Sequence, residues 1–189
     1  MDLLKFCEDL YKIPRSITGN GVIRSLEYIQ KYIPIEIKNV KSGTKVFDWT
    51  VPPEWNIRDA YILDLSTDKK VVDFKIHNLH VMGYSKPVDL VLNYDELINK
   101  IHYLKDQPEA IPYVTSYYSK EWGFCMSHNN FKKLDKLSKY RVFIDSDFKE
   151  DGNLTYGELL LKGEVEEEIF LSSYICHPQM ANNELSGPA

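Results

Sequence analysis

The sequence predicts an α/β fold interrupted by a β-rich insertion, and three observations point there. The chain opens with two helical periodicities and a strand of period two. From about Ser42 it changes to short apolar runs at close spacing, separated by turn residues. Its last part reads as three successive strands, the final one ending in a histidine and a polar loop.

Taken in order, Leu3, Phe6, Cys7, Leu10 and Tyr11 recur at helical spacing until Pro14 ends the pattern. Thr18-Gly19-Asn20-Gly21 is a turn suited to starting a second helix, with Val22, Leu26, Ile29 and Ile33 on one face and Pro34 as its stop. Ile35, Ile37 and Val40 begin a strand. The middle of the chain carries the strand-like runs KVFDWT, AYILDL, KVVDFKI, NLHVMGY and VDLVLN, with Pro52-Pro53 and Ser66-Thr67-Asp68 among the turns. A short helix is expected from Tyr94 to Leu104, and IPYVTSYY and WGFCMS are expected to be strands around Ser119-Lys120. Ser127-His128-Asn129-Asn130 can cap a short helix running through Leu137.

YRVFIDS, NLTYGELLL and EIFLSSYIC then read as strands, with Asp151-Gly152 as a hairpin turn between the first two. Ile169 to Cys176 has few polar breaks, as in a strand covered on both faces. Ser186-Gly187-Pro188-Ala189 suits a helix start. Nothing beyond could cover that strand, so the chain is expected to be the N-terminal part of a longer protein.

Composition excludes several function classes. Hydrophobic residues at 43% and charged residues at 27% fit a globular protein. A net charge of -5 argues against non-specific binding to nucleic acid or anionic membranes. No apolar run approaches the roughly 20 residues a membrane helix needs, and the N-terminus lacks a signal-peptide pattern. Three widely spaced cysteines do not make a disulfide framework, so a reducing, cytoplasmic location is expected. Phosphate-loop, dinucleotide, HExxH and CxxC patterns are all missing.

His177 is the leading candidate for chemistry. At the C-terminal tip of a buried strand, an imidazole is placed to ligate a metal or act as a base; the plainer alternative is a loop histidine bonded to backbone. Cys176 is its neighbour, but adjacent strand residues point to opposite faces, so no Cys176–His177 pair is expected. Asn182, Asn183 and Glu184 offer oxygen ligands or a helix cap. His77 and His80 form an H-x-x-H in a strand-like context, where they would face apart. His102 is expected on a helix and His128 at a cap or turn. Trp49, Trp55, Tyr113, Tyr117, Tyr118, Trp122 and Phe124 could stack on a sugar or peptide, or could be the core and rim of the β-rich unit. Glu164, Glu166, Glu167 and Glu168 read as a solvated connection.

SITGNG before a helix, SGTKVFDWTVPPEWNIRDAYI, IPYVTSYYSKEWGFCMSH and SYICHPQMANNELSGP together resemble the bacterial aminopeptidase-like proteins of unknown function found among polysaccharide-biosynthesis genes. These are similar to the zinc aminopeptidases that share a fold with glutaminyl cyclase. The resemblance covers essentially the whole chain. It implies a zinc-exopeptidase-like (phosphorylase/hydrolase-like) mixed sheet with helices. Residues 1–43 and 139–189 would belong to that domain, and residues 44–138 (Thr44 to Ser138) to a small inserted β-rich domain. It also implies that the rest of the catalytic domain and a winged-helix-like tail are missing from this chain.

Carried over, His177 takes the first metal position, and the bridging-Asp position of a D-N-x-S-G-like turn falls on Asn183. An amide cannot bridge two Zn²⁺ ions as a carboxylate does. Gln179 stands where an acid would orient the histidine. The implied function is a zinc-dependent amide or peptide hydrolase, with this chain inactive alone and the general-base Glu and remaining ligands lying beyond Ala189. A homo-oligomer is compatible with this reading. The alternative is a non-catalytic module that binds a glycan or protein partner in polysaccharide biosynthesis.

Overall fold

A computed structural model describes residues 2–185 and 187. The helices are α1 (Leu3–Tyr11), α2 (Asn20–Ile29), α3 (Tyr94–Ile98), α4 (His128–Phe131) and α5 (Ala181–Glu184). The strands are β1 (Glu36–Lys41), β2 (Lys45–Val46), β3 (Trp49–Thr50), β4 (Glu54–Asp64), β5 (Lys69–Asp73), β6 (Val88–Asn93), β7 (Ile101–His102), β8 (Phe124–Cys125), β9 (Lys139–Lys149) and β10 (Asn153–Glu158). This is a mixed α/β fold with several small sheets. The described helices are all too short and polar to cross a membrane.

The chain forms two units. Met1–Glu54 and Lys149–Ala189 make one, and Trp55–Phe148 make the other. In the first, the Asp2 carboxylate accepts from the amides of Leu4 (3.1 Å) and Lys5 (3.2 Å), satisfying donors that the first turn of α1 leaves open. Pro14 ends α1 as expected. The following turn needs Gly19, whose φ of 91° lies where L side chains are strained. Gly21 sits so close to the Pro14 carbonyl that an added Cβ would lie inside van der Waals contact with its oxygen and 2.7 Å from its carbon. β1 pairs antiparallel with β10, from Glu36 opposite Glu158 to Lys41 opposite Asn153. Phe6, Leu10, Ile13, Val22, Leu26, Ile29 and Ile35 make the core of this unit, joined by Ile175 and Leu185 from the other arm of the chain.

The second unit is built on a four-stranded sheet of order β5-β4-β9-β6. β9 alternates buried and half-exposed positions, so Tyr140, Val142 and Ile144 face the core beside Ala60, Ile62 and Val72. On the other face Tyr61 stacks on Phe143 at 5.1 Å, and Arg141 makes a bidentate pair with Asp89.

Several expected elements differ. NLHVMGY is not a strand: its Asn78–His80 stretch is a 3-10 turn. The helix from Tyr94 stops at Ile98, because Ile101–His102 pairs in parallel with β8. The helix at His128 ends at Phe131 rather than Leu137. IPYVTSYY has only a single bridge, Thr115 to Gly83. Asp151-Gly152 does not close a hairpin, since β10 leaves for β1 while β9 pairs with β4 and β6.

The largest correction concerns EIFLSSYIC. Ile169 to Cys176 is irregular, and Ile169, Phe170 and Leu171 are about nine-tenths exposed (92%, 88% and 88%). A strand needs a neighbour for its amides and carbonyls, and among the described residues none pairs with this run. Ser186, Pro188 and Ala189 of the expected helix start lie outside the described residues.

Gly21→Ala drives a methyl group into backbone, which other atoms cannot relieve by rotating. It is expected to cost about 1–3 kcal/mol of unfolding free energy, read as a lowered urea midpoint; an unchanged midpoint would contradict the packing described.

Candidate functional site around His177

The loop carrying His177 is pinned at both ends. Ile175 and the fully buried Leu185 both sit in the α1–α2 core. Between them the chain bends through His177, Pro178 and Gln179 and enters the one-turn helix α5. Gln179 has a φ of 44°, an unusual conformation for a residue with a side chain. Met180 stands at the cap position of α5 without a side-chain cap bond, so the Asn-Asn-Glu stretch does not cap the helix but forms it.

His177 and Asn183 are brought together: Nδ2 of Asn183 lies 3.4 Å from Nδ1 of His177. Cys176 is there too, with Sγ 3.9 Å from the same ring nitrogen. The expectation that Cys176 and His177 face apart fails because it assumed a strand. Even so, this Cys-His-Asn group is not a nucleophile–base–orienter relay, which places its partners on opposite ring nitrogens. Here both contacts fall on Nδ1. A half-turn of the Asn183 amide interchanges its oxygen and nitrogen. In that orientation Oδ1 accepts from Nδ1–H, the tautomer in which Nε2 carries the lone pair. The Tyr174 ring stands edge-on at 5.9 Å. Asn183 is exposed, and Asn182 and Glu184 are the neighbouring residues of α5.

Sequence reasoning missed Arg15. It is 3% exposed. Its Nε donates to the carbonyl of His177 at 3.2 Å, and a terminal nitrogen donates to the carbonyl of Leu10 in α1. A single arginine after a helix-stopping proline carries no periodic signal that would mark it as buried.

The other histidines lie in the second unit. His77 and His80 do not face apart, since the 3-10 turn brings their rings to 6.1 Å. Nδ1 of His77 accepts from the Leu79 amide at 3.2 Å, and Nδ1 of His80 contacts the Cys125 carbonyl at 2.8 Å. Burial lowers the pKa of both from the usual 6.5. His102 lies on β7 rather than a helix, and burial followed by the Lys100 charge lowers it as well. His128 opens α4, where Ser127 supplies the cap, and it stacks on Tyr103 at 5.0 Å. Burial pushes the Cys125 thiol up to about 12. Among the described residues, no group of three or more His, Cys, Asp or Glu side chains is arranged to hold a metal ion. Of the aromatic cluster, Trp55, Trp122 and Phe124 are core residues, while Tyr118 is exposed.

Comparison with known proteins identifies the family. Residues 4–189 match the family model described as Domain of unknown function (DUF4910). The chain belongs to that family. It is 53% identical over 188 residues to a Clostridium acetobutylicum protein named "Putative polysaccharide biosynthesis protein with aminopeptidase-like domain", covering 100% of this chain and 43% of that protein. It is also similar to a crystal structure described as a "putative peptidase" from Clostridium acetobutylicum, with a TM-score of 0.94 and 52% identity over 98% of this chain and 43% of that one. The chain thus spans less than half the length of these two proteins.

The half-buried His77 and the buried His80 generate a pH prediction. Their folded-state pKa values lie below 6.5, so the unfolded chain takes up protons first as pH falls below about 6.5. The stability they contribute is present above that value and is lost on acidification. His80→Asn keeps a donor for the Cys125 carbonyl and removes one titrating group. The fall in urea midpoint between about pH 7.5 and about pH 5.5 is expected to be smaller in this variant than in the parent; an equal fall would contradict it.

Proposed function

We propose that this chain is the N-terminal part of a zinc-dependent, aminopeptidase-like amide or peptide hydrolase with a zinc-exopeptidase-like sheet. On this reading the chain supplies the first metal histidine, His177, and is inactive alone. The observation that carries the proposal is the pinned, polar His177–Asn183 loop in a chain 53% identical to a protein named for an aminopeptidase-like domain.

The donor set fits one metal position, not a whole site. Imidazole is a good zinc ligand, and with Oδ1 of Asn183 on Nδ1–H the ring would present Nε2. Asn183 itself is a poor bridging ligand, because a neutral amide has no charge to share between two metal ions. Remaining ligands and a general base would come from the part of the relatives that this chain does not span. Zinc, when bound, supplies a Lewis acid for an amide carbonyl and lowers the pKa of water. The task of this chain is to hold the imidazole in one tautomer and one direction. A glycan-binding role has less support, because Trp55, Trp122 and Phe124 are occupied in the core.

Zinc titration of the purified chain tests the proposal. Binding is expected to be abolished by His177→Ala and tightened by about tenfold or more by Asn183→Asp, as the charge on an imidazole's partner or a first carboxylate ligand would do. Zinc binding indifferent to both substitutions would sink the reading.

A further inference from the structure

We infer that Arg15 is a positioning residue for the His177 loop: its guanidinium ties the His177 carbonyl to the C-terminal end of α1 and so fixes the direction in which the imidazole leaves the chain. The consequence for metal binding rests on the function proposed above; the positioning itself does not.

An arginine that is 3% exposed gives up most of its hydration, and such a group is kept only where fixed acceptors replace the water. Nε has the His177 carbonyl at 3.2 Å, and a terminal nitrogen has the Leu10 carbonyl. Leu10 is in the last turn of α1; its carbonyl already accepts from the Ile13 amide at 3.1 Å and also takes the guanidinium, at the end of the helix where the dipole favours a cation. The planar fork sets both donors in fixed relation, so the two carbonyls are held at a set separation. A lysine ammonium would reach either carbonyl as a point charge without this relation.

The geometry of the loop makes the tie matter. Its side-chain anchors in the core are Ile175 and Leu185, on either side of the chemistry. Between them Gln179 is held in a left-handed conformation and Asn183 is exposed. The Arg15 bond acts on the backbone of His177 itself. On the far side, Gly21 lets α2 close against Pro14 and so confines the chain segment that carries Arg15.

The experiment compares the 189-residue chain with Arg15→Met, Arg15→Lys, a charge-matched control, Arg24→Met, and a stability-matched control, Ile29→Val. The first readout, without metal, is the backbone carbonyl ¹³C shift of His177 together with amide exchange across residues 176–181. Arg15→Met is expected to move that shift and to speed exchange about tenfold or more, Arg15→Lys to give an intermediate result, and the two controls to leave both unchanged. The second readout is the zinc dissociation constant, expected to weaken about 10–100-fold in Arg15→Met with partial rescue in Arg15→Lys. Should Arg15→Met fail to fold, Arg15→Lys, which keeps the charge, decides by the same carbonyl shift. A His177 carbonyl shift unchanged in the Arg15 variants overturns the inference. If zinc binding by the parent chain is indifferent to His177→Ala, the proposed function fails while the carbonyl and exchange data still decide the role of Arg15.

Discussion

The pairing of β1 with β10 is the constraint on which the first unit depends. It joins two arms of the chain separated by the whole of the second unit, so that Lys38 reaches Glu158 across 120 residues of sequence. Closing a flexible loop of that length costs about 4 kcal/mol in chain entropy beyond a constant. The ladder offsets part of this, and the shared apolar core of α1 and α2 with Ile175 and Leu185 adds to it. In the second unit, β4 and β9 are hydrogen-bonded neighbours. Buried Glu54 at the start of β4 accepts from Lys149 at 3.0 Å and from the Asn153 amide at 3.2 Å, fixing where the second arm begins.

The candidate site inherits its order from that closure. His177 is placed by apolar anchors on either side and by a guanidinium on its carbonyl, not by a strand beneath it. Asn183 and Cys176 both approach its Nδ1, an arrangement suited to setting a tautomer. Asn183 therefore matters as a partner of the imidazole rather than as a charge, and an aspartate there would change both the hydrogen bond and the local electrostatics.

Much of the fold was legible where one element carried its own pattern. Leu3, Phe6 and Leu10 mark α1, Val22, Leu26 and Ile29 mark α2, and the alternation of Tyr140, Val142 and Ile144 marks β9. Reading failed where the outcome depended on distant partners. Ile169 to Cys176 has strand composition, but strand formation needs a ladder that composition does not supply. Asp151-Gly152 has hairpin chemistry, yet β10 finds its partner in β1 near the start of the chain. The segment around His77 and His80 alternates like a strand, and its 3-10 turn follows from contacts with β8 such as His80 to the Cys125 carbonyl. His177 and Asn183 were visible because they are six residues apart. Arg15 was not, because its partner carbonyl is 162 residues away.

Native-state hydrogen exchange with increasing denaturant tests the dependence of the first unit on its ladder most directly. The account predicts that the slowest amides of β1, β10, α1 and α2 merge into one opening with a common free energy and denaturant dependence. Protection in α1 and α2 that outlasts the opening of β1 and β10 would contradict it.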